Sequence, residues 1–201
     1  MISLRDIAEF GVSTQPLTTA AITRYTKPGD LIVDLSCGDG RTLVEAVRAD
    51  RLAIGVERNR RLAETAREAV VQATAHGGPG FAAVVVGELA DVPKLVGPDS
   101  LRKAALVLVD TARVGVLGKH ARVDAVEALG RFATAFEVGC ALLRPGGHVL
   151  VSARSDLFDE INTVIGAAST FDRAEELCAP GLGAIHGKVS VAVMRYAATH
   201  A

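Results

Sequence analysis

Aromatic residues are scarce. Two Tyr, six Phe and no Trp make up 4% of 201 residues. So few rings leave little for stacking against bases or sugars, and core packing claims them first. Cysteine is scarce too. Cys37, Cys140 and Cys178 are scattered, odd in number and without metal-ligand spacing, which excludes a disulfide framework and a cysteine metal site and points to a reducing cytoplasm. Charge of one sign is absent: 22 Lys and Arg face 23 Asp and Glu, for a net charge of −1 and a pI near 6.5. That excludes a globally basic nucleic-acid binder or anionic-membrane binder, and leaves a local patch open. No apolar run approaches the roughly 20 residues of a membrane span. The opening MISLRDIAEF carries acids and no long apolar stretch, so it does not read as a secretion signal. Repeats and long linkers are missing as well. At 49% hydrophobic residues the chain reads as a single domain, 1–201, with residues 1–30 as a helical lead-in.

What the chain does have is concentrated in residues 31–57, LIVDLSCGDGRTLVEAVRADRLAIGVE. An apolar β-type run ends in Asp34, and a loop with two glycines, Gly38 and Gly40, follows. A helical pattern over 42–49 and a second apolar run ending in Glu57 complete the unit. Strand, glycine loop, helix, strand and acid form a nucleotide-binding half of a doubly wound α/β fold. Glycines admit positive φ and a close backbone approach to a ligand. Glu57 is placed to accept hydrogen bonds from two ribose hydroxyls. The dinucleotide fingerprint needs a third small residue, and Leu43 stands there, so the NAD pattern fails. The Gly-Lys-Ser/Thr ending of a phosphate loop is absent. Asp34 would repel a pyrophosphate and suits a cationic ligand. S-adenosylmethionine (SAM) is such a ligand, with a sulfonium, an amino group and a ribose.

Further elements follow from periodicity and punctuation. Short helices are expected over 3–10 and 15–25, the second with Leu17, Ala20, Ala21 and Ile22 on one side and Ser13 or Thr14 as cap. This second helix either walls the ligand pocket or packs over the sheet. A helix over 59–74 (Leu62, Ala66, Ala69, Val70) leads to a strand over 81–86, after which Gly87 and Glu88 sit where an acid reaches an adenine amino group. A wholly apolar strand over 104–109, of the buried central kind, ends in Asp110-Thr111-Ala112-Arg113. A basic loop over 114–124 contains His120. A helix over 126–143 stops at Arg144-Pro145-Gly146-Gly147, and a strand over 148–153 and a helix over 158–168 follow. Strands near 171–175 and 189–196, one of them antiparallel, close a mostly parallel seven-stranded sheet with helices on both faces.

VDLSCGDG with the acid at Glu57, the loop LLRPGGHVLV and the lead-in YTKPGDLIVDLSCGDGRTLVEA resemble the class I SAM-dependent methyltransferases. More narrowly they resemble the DNA-methylase-like branch, which includes the tRNA guanosine N2-methyltransferases. Pro28-Gly29-Asp30, Cys37-Gly38-Asp39-Gly40-Arg41-Thr42, Glu45-Ala46 and Gly55-Val56-Glu57 match that branch in order. The resemblance covers roughly residues 19–153. It implies a Rossmann-like methyltransferase fold that takes SAM and releases S-adenosylhomocysteine (SAH). The cofactor site it implies comprises Asp34, Ser36, Cys37, Gly38, Gly40, Thr42, Glu57, Arg58, Gly87, Glu88 and Asp110. That branch ends its fourth strand in Asp/Asn/Ser-Pro-Pro-aromatic, which holds and stacks a target base. Here Asp110-Thr111-Ala112-Arg113 keeps the polar first position and lacks both prolines and the ring. Tyr25, Phe10 and Tyr196 are the few rings that could replace it, and core packing is the simpler job for each.

In methyl transfer the cofactor carries the reactivity, while the protein positions the acceptor and takes its proton. Asp110 is the first choice as orienter or base, and His120 is the alternative base. Arg113 suits an anionic acceptor. Cys37 reads as a small packing residue and not as a nucleophile, and no metal is expected. Three functions stay open: a methyltransferase on a small molecule or protein group, a nucleic-acid amino-methyltransferase with a divergent motif, and a non-catalytic SAM-binding or partner-binding relative. A nucleic-acid enzyme of this size would need a partner subunit, and a homodimer is the other assembly in view. No membrane role is expected.

Overall fold

Alternation along the central strands sets the architecture. In Ile32-Val33, Leu106-Val107-Leu108-Val109 and Val149-Leu150-Val151, odd and even positions enter two different cores on opposite faces of one sheet. The computed structural model describes residues 14–110, 125–154, 161, 163, 165, 171–179 and 189–196. In chain order these form α1 (Thr14–Tyr25), β1 (Leu31–Asp34), α2 (Arg41–Arg48), β2 (Leu52–Glu57), α3 (Arg60–Ala75) and β3 (Phe81–Val86). After them come α4 (Val92–Leu95), β4 (Ala104–Asp110), α5 (Ala125–Leu142), β5 (Leu143–Arg154), β6 (Phe171–Ala179) and β7 (Val189–Tyr196). The sheet has seven strands in the order β3-β2-β1-β4-β5-β7-β6. Every described pairing is parallel except those of β7, which runs antiparallel to β5 and β6. This is the expected mostly parallel sheet with one reversed strand. The strand order reverses between β1 and β4, the switch point at which open α/β sheets form their ligand crevice.

Helices α1, α2 and α3 cover one face, with Leu17, Ile22, Leu43, Val47 and Ala66 against Ile32, Leu106, Leu108 and Leu150. Helix α5 and the helical positions Ile161 and Ile165 cover the other, with Phe132 and Phe136 stacked at 5.8 Å. Helix α1 packs on α2, β4 and β5. Its last turn is pinned at the amino edge of the sheet, where Tyr25 lies 4.5 Å from the ring of His148. Burial, with the charges of Arg195 and Arg144, lowers the pKa of His148. Buried Arg51 donates to the Thr26 hydroxyl (2.9 Å) and carbonyl (2.8 Å) and to the carbonyl of Ala49, which joins the ends of α1 and α2. Asp30, at the turn into β1, accepts a two-pronged ion pair from Arg144 at 2.7 and 3.0 Å. Burial works to raise the Asp30 pKa. The Arg144 hydrogen bonds, the Lys27 backbone N–H and the charges of both residues outweigh it and hold it below the ordinary value.

Two expectations need correction. The buried face of α3 is Ala63, Ala66, Val70 and Ala73, whereas Leu62 is exposed. Alanines let α3 approach α2 closely, so the smaller side chains face inward. Residues 144–147 do not stand outside the strand, since β5 begins at Leu143, directly after α5. Ala104 pairs with Leu143 and Leu106 with His148, so Arg144, Pro145, Gly146 and Gly147 form a bulge in β5. Gly146 turns it at φ +75°. The expected helix over 3–10 and the loop 114–124 lie outside the described residues, as does most of 158–168.

Candidate functional site

The carboxyl edge around the switch point is built from the glycine loop upward. Asp34 ends β1 buried, and its Oδ1 accepts the Ser36 backbone N–H at 3.0 Å, which turns the chain sharply. The Cys37 N–H donates to the carbonyl of Val56 (3.0 Å), and the Gly38 N–H donates to Glu57 Oε2 (3.0 Å). The loop is thereby laid across the end of β2. Gly38 and Gly40 hold φ of +56° and +86°. A Cβ at Gly40 would stand 2.8 Å from the Ala66 backbone, so this glycine serves the close meeting of α2 with α3.

Leu43 occupies the helix position where a dinucleotide fold carries its third small residue, yet α2 still packs tightly on the sheet. The space comes from the strand. A Cβ at Gly55 would meet the Leu43 side chain at 2.6 Å and Cys37 Sγ at 2.7 Å. Cys37 is therefore a packing residue with no exposed surface. Cys140 is no better placed as a nucleophile, because burial and the nearby Glu137 charge raise its thiol to about 11.

Glu57 is 8% exposed. Its Oε2 takes the Gly38 N–H, and its Oε1 takes the Asn59 N–H at 2.8 Å. The Asn59 side chain in turn accepts from Arg61 and Leu62, capping α3. Each carboxylate oxygen retains a further lone-pair site for a hydroxyl. Glu57 sits in the wall of a cavity of about 390 Å³, within the range of small-molecule sites. Leu35, Val56 and Leu89 line it with apolar surface; Ser36, Glu57 and Glu88 supply polar groups; Arg58 and Arg131 supply charge of the other sign. Ser36 Oγ is buried there without a hydrogen-bond partner, which is costly unless a ligand supplies one.

Of the residues singled out in the sequence, Ser36, Glu57, Arg58, Gly87 and Glu88 meet around this cavity. Asp34, Cys37, Gly38, Gly40, Thr42 and Asp110 are outside its lining. Gly38 and Asp34 shape the loop that borders it. Asp110 ends β4, opposite Ser152 of β5. His120, Arg113 and Phe10 lie outside the described residues, and neither Tyr25 nor Tyr196 lines the cavity. Helix α1 is not in the lining of this cavity; it packs on α2, β4 and β5. Sequence reasoning missed Arg131 and Thr134 of α5. Their three-residue spacing beside the core-facing Phe132 and Phe136 was the available signal, but the periodicity does not say which strands α5 crosses. Among the described residues no cluster of three His, Cys, Asp or Glu side chains could hold a metal.

A profile described as DNA methylase matches residues 15–68, which span α1, the glycine loop and the first half of α3. No curated protein matches the chain. Among solved structures, TrmN from Thermus thermophilus superposes with a TM-score of 0.64 at 16% identity, over 90% of this chain and 48% of TrmN. A putative rRNA methylase from Clostridium thermocellum gives 0.67 at 10% identity, over 94% and 98% of the two chains. A SAM-dependent methyltransferase from Methanosarcina mazei gives 0.65 at 13%, over 88% and 96%. This chain thus spans about half the length of TrmN and nearly the full length of the other two. The fold is that of the class I, Rossmann-like methyltransferases.

Proposed function

We propose that the chain is a SAM-dependent methyltransferase whose acceptor is held near the carboxyl end of β4. The observation that carries this reading is Glu57. It is a buried carboxylate at the end of β2 that orders the glycine loop, faces a cavity of cofactor size and keeps lone pairs free for two hydroxyls. The other residues fit the same ligand. Ser36 Oγ lacks a partner, Leu35, Val56 and Leu89 offer apolar surface to an adenine, and Glu88 stands where an adenine amino group can donate to it. Asp34 places negative charge near the loop, which favours the cationic end of SAM.

Bound there, SAM supplies an activated methyl group on a sulfonium. The chain's part is placement. Glu57 fixes the ribose, Asp110 orients the acceptor and takes its proton, and the apolar walls exclude water. The DNA methylase profile brings nucleic acid forward as one acceptor class. That version predicts RNA or DNA binding that weakens steeply with salt.

Calorimetric titration of the purified protein with SAM and with SAH tests the reading. Micromolar binding of both supports it. If neither binds, the glycine loop survives as architecture only and the proposal fails.

A further inference from the structure

We propose that Ser152 shares the acceptor site with Asp110, the two side chains forming one polar ledge at the carboxyl edge of β4 and β5; the inference rests on the methyltransferase reading. β1 stops at Asp34, paired with Leu108, while β4 runs two residues further to Asp110. At about 3.3 Å per residue this leaves a step of roughly 7 Å beside the end of β1. Ser152 is the register partner of Asp110 on β5. Adjacent strands lie about 4.8 Å apart, and partners in register leave the same face of the sheet.

The neighbours identify that face. Asp110 continues the series Leu106, Leu108, and Ser152 follows Leu150 by two; all three leucines belong to the core covered by α1 and α2. Asp34 continues from Ile32 on the same side. Asp34 and Asp110 thus end their strands on one face, and Ser152, two residues before the end of β5, stands beside Asp110 on the same face. The Glu57 cavity at the same edge also takes in Leu35, Val56 and α5 from the other face. The loop over residues 36–40 borders that cavity through Ser36. A cofactor with its adenosyl part in the cavity presents its reactive end across that loop to the ledge. Ser152 is 8% exposed and follows three buried apolar residues, Val149, Leu150 and Val151.

The chemistry of the ledge selects the acceptor. A carboxylate and a hydroxyl accept hydrogen bonds from an acceptor that carries N–H or O–H, and two anchors aim its lone pair better than one. A carboxylate or phosphate acceptor would meet Asp34 and Asp110 with like charge. In the transfer the lone pair forms the new bond to carbon. The carbon–sulfur bond breaks with its electrons returning to sulfur, and the acceptor's proton passes to Asp110 and on to water.

Sinefungin tests this without knowledge of the acceptor, because it carries an ammonium on carbon where SAM carries the sulfonium methyl. Wild type, Ser152→Ala, Ser152→Thr and Asp110→Asn are titrated with SAH and with sinefungin, with thermal melting as the check on folding. Ser152→Ala should weaken sinefungin about five-fold while leaving SAH unchanged. Ser152→Thr should restore wild-type behaviour, and Asp110→Asn should weaken sinefungin more than Ser152→Ala does. A sinefungin-to-SAH ratio unchanged in Ser152→Ala, or a Thr variant no better than Ala, overturns the proposal. Failure of wild type to bind SAH is a different result: it removes the cofactor reading itself, and this inference with it.

Discussion

Two acids show how position decides the work of a carboxylate. Glu57 spends one lone pair of each oxygen on the Gly38 and Asn59 N–H groups, so it organises the loop before any ligand arrives. Asp30 is buried against Arg144 and the Lys27 N–H, and its work is structural. Its folded pKa lies below the ordinary value, so its contribution is present above the unfolded pKa, about 4, and is lost as pH falls through the folded value. Asp30→Asn should cost about 1–3 kcal/mol at pH 7. Urea unfolding should show that difference intact at pH 6 and shrinking below about pH 4. A gap that stays constant down to pH 3 would mean the ion pair contributes nothing. Glu57 was legible in the sequence because an acid closing an apolar β-run is a local signal. Arg131 and Ser152 were not, since a lone hydroxyl or a helix arginine acquires meaning only from what lies across the sheet.

At the scale of elements, the junction of α2 with β2 explains how the fold tolerates Leu43. The small residue that brings helix and strand together has moved from the helix to Gly55 on the strand, under Leu43 and Cys37. The sequence contained both halves of this exchange, but only contact between them reveals it. Gly55→Val should destabilise the protein by about 1–3 kcal/mol through overpacking, read as a lower urea midpoint with an unchanged slope. An unaltered midpoint would show that the junction is loosely packed. The strand boundaries were read closely for β3 and β7 because apolar runs and glycines delimit them. The start of β5 was misplaced, since a Pro-Gly-Gly run signals a stop and says nothing of a bulge absorbed into the strand. The inward face of α3 was misjudged for a related reason: alanines at a close helix crossing bury better than the leucine beside them.

For the molecule as a whole, the sheet order and the single reversed strand β7 put the ends of β1, β2, β3, β4 and β5 along one edge. The Glu57 cavity opens at that edge, and Asp34, Asp110 and Ser152 stand along it on neighbouring strands. The doubly wound class was legible from the strand–loop–helix–strand pattern. The order in which strands neighbour one another was not, because crossovers leave no trace in local periodicity. A ligand that binds only the folded chain must also stabilise it. SAH at 100 times its Kd should raise stability by about 2.7 kcal/mol, seen as a higher Tm; a Tm indifferent to SAH would contradict specific binding to the fold. The most direct measurement sets Glu57→Ala beside wild type in calorimetric titration with SAM. The account predicts micromolar binding by wild type and a loss of about 1–3 kcal/mol in the variant, since hydrogen bonds to ribose hydroxyls and the anchor of the glycine loop go together. Equal affinities in the two proteins would contradict it.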